Sequence, residues 1–411
     1  MKLITISIIL FTFLFLRFFF FYQNPSHPKD GGYISFRTTL LSEPQVIGNY
    51  QRIYTTLDQK TKIFVFTSIY PEYHYGDVLI ISGNLKYKVL SNGSHISSMN
   101  FPKIEAVKSS ENYILAFISF IRQKIVLVYE RSLPAKSASL LLGIVFGIKE
   151  AMPKEFSDNL KMTGVTHVIA ASGMNVTLVG GFLSSILVFF VRRQIALFLS
   201  VIGILFYAVL SGLEPSIVRA AVMGIMAFSA QILGRQRIAS YGLFVAGYSM
   251  LFILPSLLSD VGFQLSFIST LGLLYIRPLF ERTDRAIKLL KSSIIGDETV
   301  TTISAQISTL PILLVNFGTY SLWSILTNVL VLWTIPILMI LGGVGAILGI
   351  IIEPVGKLFL YLCLPLLIYF EIVINTFANY GGILKIENIS WPIILGYYFI
   401  LFSLVSVFKK K

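Results

Sequence analysis

Residues 167–191 read HVIAASGMNVTLVGGFLSSILVFFV. At roughly 1.5 Å per residue, the apolar tail of this stretch is long enough to enter a ~30 Å hydrocarbon core as a helix. The stretch opens, however, on His167, Ser172, Gly173 and Asn175. Lipid is a poor solvent for such groups, so this end of the helix must meet protein or water.

The whole chain shares the character of the tail. Of 411 residues, 55% are hydrophobic and 13% charged, against about 25% charged in a typical soluble domain. A polytopic α-helical membrane protein follows, and a soluble globular enzyme is excluded. The net charge of +13 suits basic cytoplasmic loops facing anionic lipid as well as a polyanionic ligand, so it decides nothing about nucleic acid. Cys363 is the one cysteine, which leaves no pair for an intramolecular disulfide and no cysteine metal site.

Upstream, residues 1–22 give about 20 apolar positions interrupted by Arg17, which can snorkel to an interface. Phe18 to Tyr22 are all aromatic, where a cleavage site needs small residues, so the segment reads as an uncleaved N-terminal transmembrane anchor. Residues 23–110 carry charges, Gly, Pro and short β-rich runs such as YGDVLIISGNLKYKV, with a bulge or turn expected at Gly83. They read as a small all-β, OB-like extracytoplasmic domain. Its aromatics, among them Tyr50, Tyr54, Phe64 and Phe66, suit alternating strand faces or a platform for bases. Between Gln23 and Glu111, nine Lys/Arg against seven Asp/Glu give no strongly basic surface.

Residues 111–135 space apolar side chains helically around Arg122, Lys124, Glu130 and Arg131, as an amphipathic interfacial helix does. The run SASLLLGIVFGI that follows is too short to cross and contains two glycines, which predicts a re-entrant or broken helix enclosed by protein or water. Residues 136–411 read as one polytopic domain. Its apolar spans are predicted at about 173–191, 194–212, 215–233, 238–254, 257–276, 300–316, 321–352, 355–379 and 391–408. As one straight helix, 321–352 would measure about 50 Å, so it is expected to be broken or re-entrant. Arg192, Arg193, Arg235, Arg237 and the run RPLFERTDRAIKLLKSS alternate with loops that lack Lys and Arg. The basic loops are therefore cytoplasmic, and His167 and the β domain lie on the outer side.

Several polar groups fall at membrane depth. Arg219 lies about one turn inside a span that opens at Glu214 and Pro215. It faces a protein interior or water, or else snorkels outward while Glu214 answers the helix N-terminus. Asp260 and Gln264 share a helical face four residues apart, with Asp260 also suited to cap a helix. Gln306, Asn316 and Asn328 suit interhelical hydrogen bonds as well as ligand contacts.

Chemistry is not written in these residues. His27, His74, His95 and His167 stand apart, and no HExxH, clustered carboxylates or P-loop appears. Ser172 and His167 would lie about 140° apart on one helix, a poor hydrolase pair. No nuclease, metal hydrolase, ATPase or cofactor site is expected.

The stretch LLLGIVFGIKEAMPKEFSDNLKMTGVTHVIAASGMNV resembles the core motif of the ComEC family of competence proteins. That motif has a Leu- and Gly-rich segment, then Gly-x-x-His, then Ser-Gly-x-His/Asn-Val. YAVLSGLEPSIVRAAVMG, DVGFQLSFISTLGLLYI and AQISTLPILLVNFGTYSLWSILTNVLVLWTIP follow in the family's order. The resemblance implies a channel that passes single-stranded DNA across the cytoplasmic membrane during natural transformation. It also implies a separate nuclease, an extracytoplasmic DNA receptor and a cytoplasmic ATP-driven motor, and it leaves a homo-oligomer open.

Many members carry a C-terminal metallo-β-lactamase-like domain, whereas here no histidine follows His167 and the chain reads as a short form. Asn175 stands where many members have histidine. A pore for DNA needs polar donors and some positive charge without tight binding. His167, Ser172, Gly173, Asn175, Arg219, Asp260, Gln264, Gln306 and Asn328 are the candidates to line or brace it. A transporter of another anionic polymer or lipid-linked precursor, and an intramembrane hydrolase, are the alternatives.

Overall fold

The computed structural model describes residues 2–23, 31–40, 44–47, 49–57, 61–89, 95–107, 113–148, 152–169, 172–236, 238–283, 294–386 and 391–409. His27 and Arg237 lie outside the described residues. Two compact units emerge, Met1–Lys124 with Phe244–Ser259, and Ile125–Leu243 with Asp260–Lys411.

The first unit begins with α1 (Lys2–Gln23), whose Phe11, Phe13, Phe15, Phe19 and Phe20 are exposed as lipid-facing side chains are. Arg17 has protein partners within this unit. Its Nε donates to the carbonyl of Phe252 at 3.0 Å, in the last turn of the helix Ala239–Ile253. A cation at a helix C-terminus satisfies carbonyls that the helix itself leaves open.

The strands are β1 (Tyr33–Thr39), β2 (Gln45–Ile47), β3 (Tyr50–Leu57), β4 (Thr61–Ser68), β5 (Val78–Asn84), β6 (Lys86–Val89), β7 (His95–Asn100) and β8 (Lys103–Val107). They form a sheet ordered β1-β5-β8 and another ordered β2-β3-β4-β7-β6, in which β4 and β7 run parallel. Side chains alternate along β3, with Gln51, Ile53 and Thr55 buried and Tyr54 exposed, the period of a strand with one covered face. Leu40, Ile53, Ile63, Val65, Leu79, Ile81, Leu85 and Met99 make the core.

The chain leaves one sheet for the other at Leu85, between β5 and β6, rather than at Gly83. Leu85 is fully buried at this corner, and Gly31 and Leu85 exchange backbone hydrogen bonds with their neighbours there. Gly83 remains in β5. A Cβ there would lie 2.8 Å from that of Pro102, so the glycine admits a proline instead of turning the strand. The unit continues into the first half of α2 (Tyr113–Ser132), where the Arg122 guanidinium lies 5.3 Å from the Tyr75 ring.

In the second unit come α3 (Ala135–Phe146), α4 (Lys154–Thr163), α5 (Thr166–Ile169), α6 (Gly173–Leu187), α7 (Arg193–Leu210), α8 (Pro215–Ile232) and the start of α9 (Ala239–Ile253). They are followed by α10 (Val261–Tyr275), α11 (Arg277–Thr283), α12 (Ile294–Phe317), the short strand β9 (Thr319–Ser321), α13 (Ser324–Leu332) and α14 (Thr334–Ile351). The chain closes with α15 (Glu353–Asn379), β10 (Ile383–Lys385) and α16 (Trp391–Lys409). Among the described residues, six helices are long and apolar enough to cross a membrane. The chain is a multi-pass α-helical membrane protein.

The segment 321–352 is divided between α13 and α14, which meet at Trp333. Pro336 supplies the cause, since it has no N–H to offer Leu332 and its ring crowds that carbonyl. α3 is only 12 residues long, and every side chain from Ser137 to Phe146 is buried, so protein rather than lipid surrounds it. α14 packs on α3 and α15 through small residues. Tyr129 donates to the Gly342 carbonyl at 2.8 Å, and a Cβ on Gly356 would fall 2.2 Å from the Gly349 Cα. In lipid, where burying apolar surface yields little, such backbone contact is what holds helices together.

Candidate functional site

α6 starts at Gly173 because the chain is extended at Ser172. Ser172 occupies the capping position, but its Oγ donates to Asn175 Oδ1 at 3.1 Å and takes no N–H of the first turn. Asn175 is 1% exposed, and its Nδ2 donates to the Ile144 carbonyl at 2.8 Å. Tyr207 of α7 donates to the next carbonyl, Val145, at 2.7 Å. Gly147, at φ 72, turns the backbone so that its own N–H and that of Ile148 return to Gly143 and Leu142.

Four successive carbonyls at the end of α3 thus find partners, two of them from side chains of α6 and α7. Helix ends buried in a membrane protein need such partners. Asn175→Ala is expected to orphan the Ile144 carbonyl at a cost of about 1–3 kcal/mol. The check is a lower thermal midpoint of the purified protein, against little change for Ser172→Ala.

Arg219 projects from α8 and is 8% exposed. Its Nη1 donates to the Ser266 carbonyl and to Thr270 Oγ1 on α10. On its other side Nη2 lies 2.6 Å from where a Gly173 Cβ would stand, so the lack of a side chain at residue 173 leaves α6 room for the guanidinium. One arginine therefore joins α6, α8 and α10.

The contacts continue around the unit. A Cβ on Gly272 of α10 would strike Ser308 Oγ at 2.2 Å and the Ser304 carbonyl at 2.7 Å, which brings α12 against α10. Gln306 of α12 donates to Ser324 Oγ at 3.2 Å and accepts from Tyr320 at 2.8 Å, which ties in α13. Thr327 of α13 donates to the Thr163 carbonyl at 2.9 Å, at the end of α4. From α4 the chain passes through α5, which carries His167, into α6, and the circuit closes.

α14 closes the same gap by packing on both α13 and α6. Across the circuit, among the described residues, α6 and α8 share no more than marginal packing with α12 and α13.

The remaining candidates fall on this circuit too. Asp260 caps α10, its Oδ1 accepting the Phe263 N–H at 3.0 Å, and Gln264 stands one turn further along the same helix. Asn328 is buried on α13, and among the described residues its Oδ1 has no hydrogen-bond partner. Ser266 Oγ, Thr302 Oγ1 and Arg219 Nε share that condition. Asn316 spends its amide on the Ile312 carbonyl of its own helix.

His167 is exposed, yet desolvation by surrounding atoms holds its pKa below the usual value against a smaller upward pull from the Gly164 backbone.

Ser266, Thr270, Ser304, Ser308 and Thr327 were not among the sequence candidates. Ser266 with Thr270, and Ser304 with Ser308, recur at i and i+4 in apolar helices, which is the pattern that could have shown them.

Residues 144–411, which hold the whole circuit, match the Competence protein family. The chain belongs to that family. Among curated relatives, this family member is 26% identical to ComE operon protein 3 of Bacillus subtilis (strain 168) over 271 residues. That alignment covers 65% of this chain and 34% of the relative. It is 29% identical to an uncharacterized protein of Aquifex aeolicus (strain VF5) over 214 residues, or 49% of this chain and 51% of that one. The chain thus matches about a third to a half of the length of these relatives. No solved structure matches it.

Proposed function

We propose that the helical unit is a channel that takes single-stranded DNA across the cytoplasmic membrane during natural transformation. The observation that supports this reading is the series of contacts through α6, α8, α10, α12, α13 and α4, joined back to α6 by the chain through α5, whose opposite members share no more than marginal packing among the described residues. A strand of phosphodiesters needs donors and water along its path. Hydroxyls, amides and one arginine supply them here, with His167, Ser172, Gln264, Gln306 and Asn328 as lining groups and Asp260 and Asn175 as braces. Membership of the Competence family supports the DNA assignment.

The basic loops set the α5–α6 end on the outer side, and the β domain behind its anchor likewise. A separate nuclease, an outer DNA receptor and an inner ATP-driven motor complete the process. Deleting the gene and following labelled DNA into the cytoplasm tests the reading. Transport should fall to background while DNA still binds at the cell surface, and uptake at the normal level would refute it.

A further inference from the structure

We infer that the first turn of α6, Arg219 and Ser266 form a binding site for one phosphate group. The first N–H groups of a helix have no partner within it and carry the positive end of its dipole. At α6 the hydroxyl of the capping serine takes none of them, because it is turned to Asn175, and the serine carbonyl takes only the third, that of Asn175 at 3.1 Å. Into this end comes a second positive group. Arg219 Nη2 reaches the place where a Gly173 side chain would stand, so a side chain there would push the guanidinium aside.

The guanidinium meets two neutral oxygens, those of Ser266 and Thr270, and the ring of Phe267 with its centroid at 6.0 Å. Among the described residues its partners carry no negative charge. Arg219 Nε and Ser266 Oγ, both on side chains 8% exposed, have no hydrogen-bond partner among the described residues. A buried cation without a counter-charge is costly, and setting it at a helix N-terminus adds like-sign repulsion. A bound anion relieves both, and a tetrahedral phosphate can accept from the helix N–H groups, the guanidinium and a serine hydroxyl together.

One cation and a few neutral donors bind such a group weakly, which suits a group that must leave again. That the phosphate is a diester of a passing strand rests on the channel reading above. The anion site itself does not.

The full chain, purified in phosphorus-free maltoside micelles, is titrated with inorganic phosphate and followed by phosphorus NMR line width. Broadening is expected with the wild type and with Arg235→Gln, a change on an exposed loop. Losing one hydrogen bond to a charged group weakens binding about tenfold or more, so Ser266→Ala should raise the apparent Kd by that factor. Arg219→Gln should abolish the broadening, and Ser266→Ala decides the matter if that variant does not fold.

Adding (dT)5 or phosphatidylglycerol identifies the source of the group. Competition by the oligonucleotide assigns a strand phosphate, and competition by the lipid alone overturns that assignment. Wild-type protein that leaves the line width unchanged, or broadening that survives both substitutions, overturns the site. DNA uptake is not measured here, so failure of the channel reading would be seen separately.

Discussion

Cells carrying Arg219→Ala are expected to accumulate the protein at its normal level and to import about a hundredfold less labelled DNA, the loss of two hydrogen bonds to a charged group at roughly 1.5 kcal/mol each. The abundance matters as much as the uptake. Arg219 joins α8 to α10 through Ser266 and Thr270, so its removal also takes away two interhelical contacts. Interhelical hydrogen bonds in membranes average only about 0.6 kcal/mol each, which a multi-pass protein tolerates. A normal immunoblot with failed uptake assigns the residue to the path. Disappearance of the protein would make it a structural strut.

Gly356→Val should act in the opposite way and leave no folded protein to assay. Its Cβ would fall 2.2 Å from the Gly349 Cα, 2.4 Å from the Gly349 nitrogen and 2.8 Å from the Gly345 carbonyl. All three are backbone atoms, so no rotamer change can make room. Overpacking typically costs about 1–3 kcal/mol when side chains can move aside, and here the α14–α15 joint itself must open. The expected result is aggregation on extraction and loss of the monodisperse peak in size-exclusion chromatography. A variant that purified like the wild type would mean that the two helices need not touch. Gly343 has nothing within 4 Å of its Cβ position, so the same valine there serves as the control.

The two changes fall on features of unequal visibility in the sequence. The break in 321–352 was readable, because an apolar run too long for one crossing contains Pro336 near its middle. Asp260 as a cap was readable too, being a local contact with Phe263. Arg219 was conspicuous because an arginine in a span needs a reason.

What the sequence withheld was every partner that arrives from far along the chain. Glu371 of α15 accepts from Ser137 at 2.9 Å and lies 3.5 Å from Lys136. Asn375 accepts from Asn159 at 3.1 Å. Neither pair has a local signature, since 234 and 216 residues separate the members. Asn175 stayed open between lining and bracing for the same reason. Its position at the mouth of a span suited a ligand contact or a contact to another helix, and its amide donates to a carbonyl 31 residues upstream. In lipid the polar residues are conspicuous, but conspicuousness does not say which of them are already paired.

The finished end of α3 also constrains how the protein is made. The carbonyls of Ile144 and Val145 are closed by side chains that lie 31 and 62 residues later. At the moment α3 emerges from the ribosome neither partner has followed it out. A short helix with two open carbonyls has no stable place in lipid, so α3 must wait at the interface or within the insertion machinery. Only when α6 and α7 have entered the bilayer can it be drawn in behind them, which makes biogenesis of this region sequential and leaves a window in which arrested synthesis would expose it to proteases.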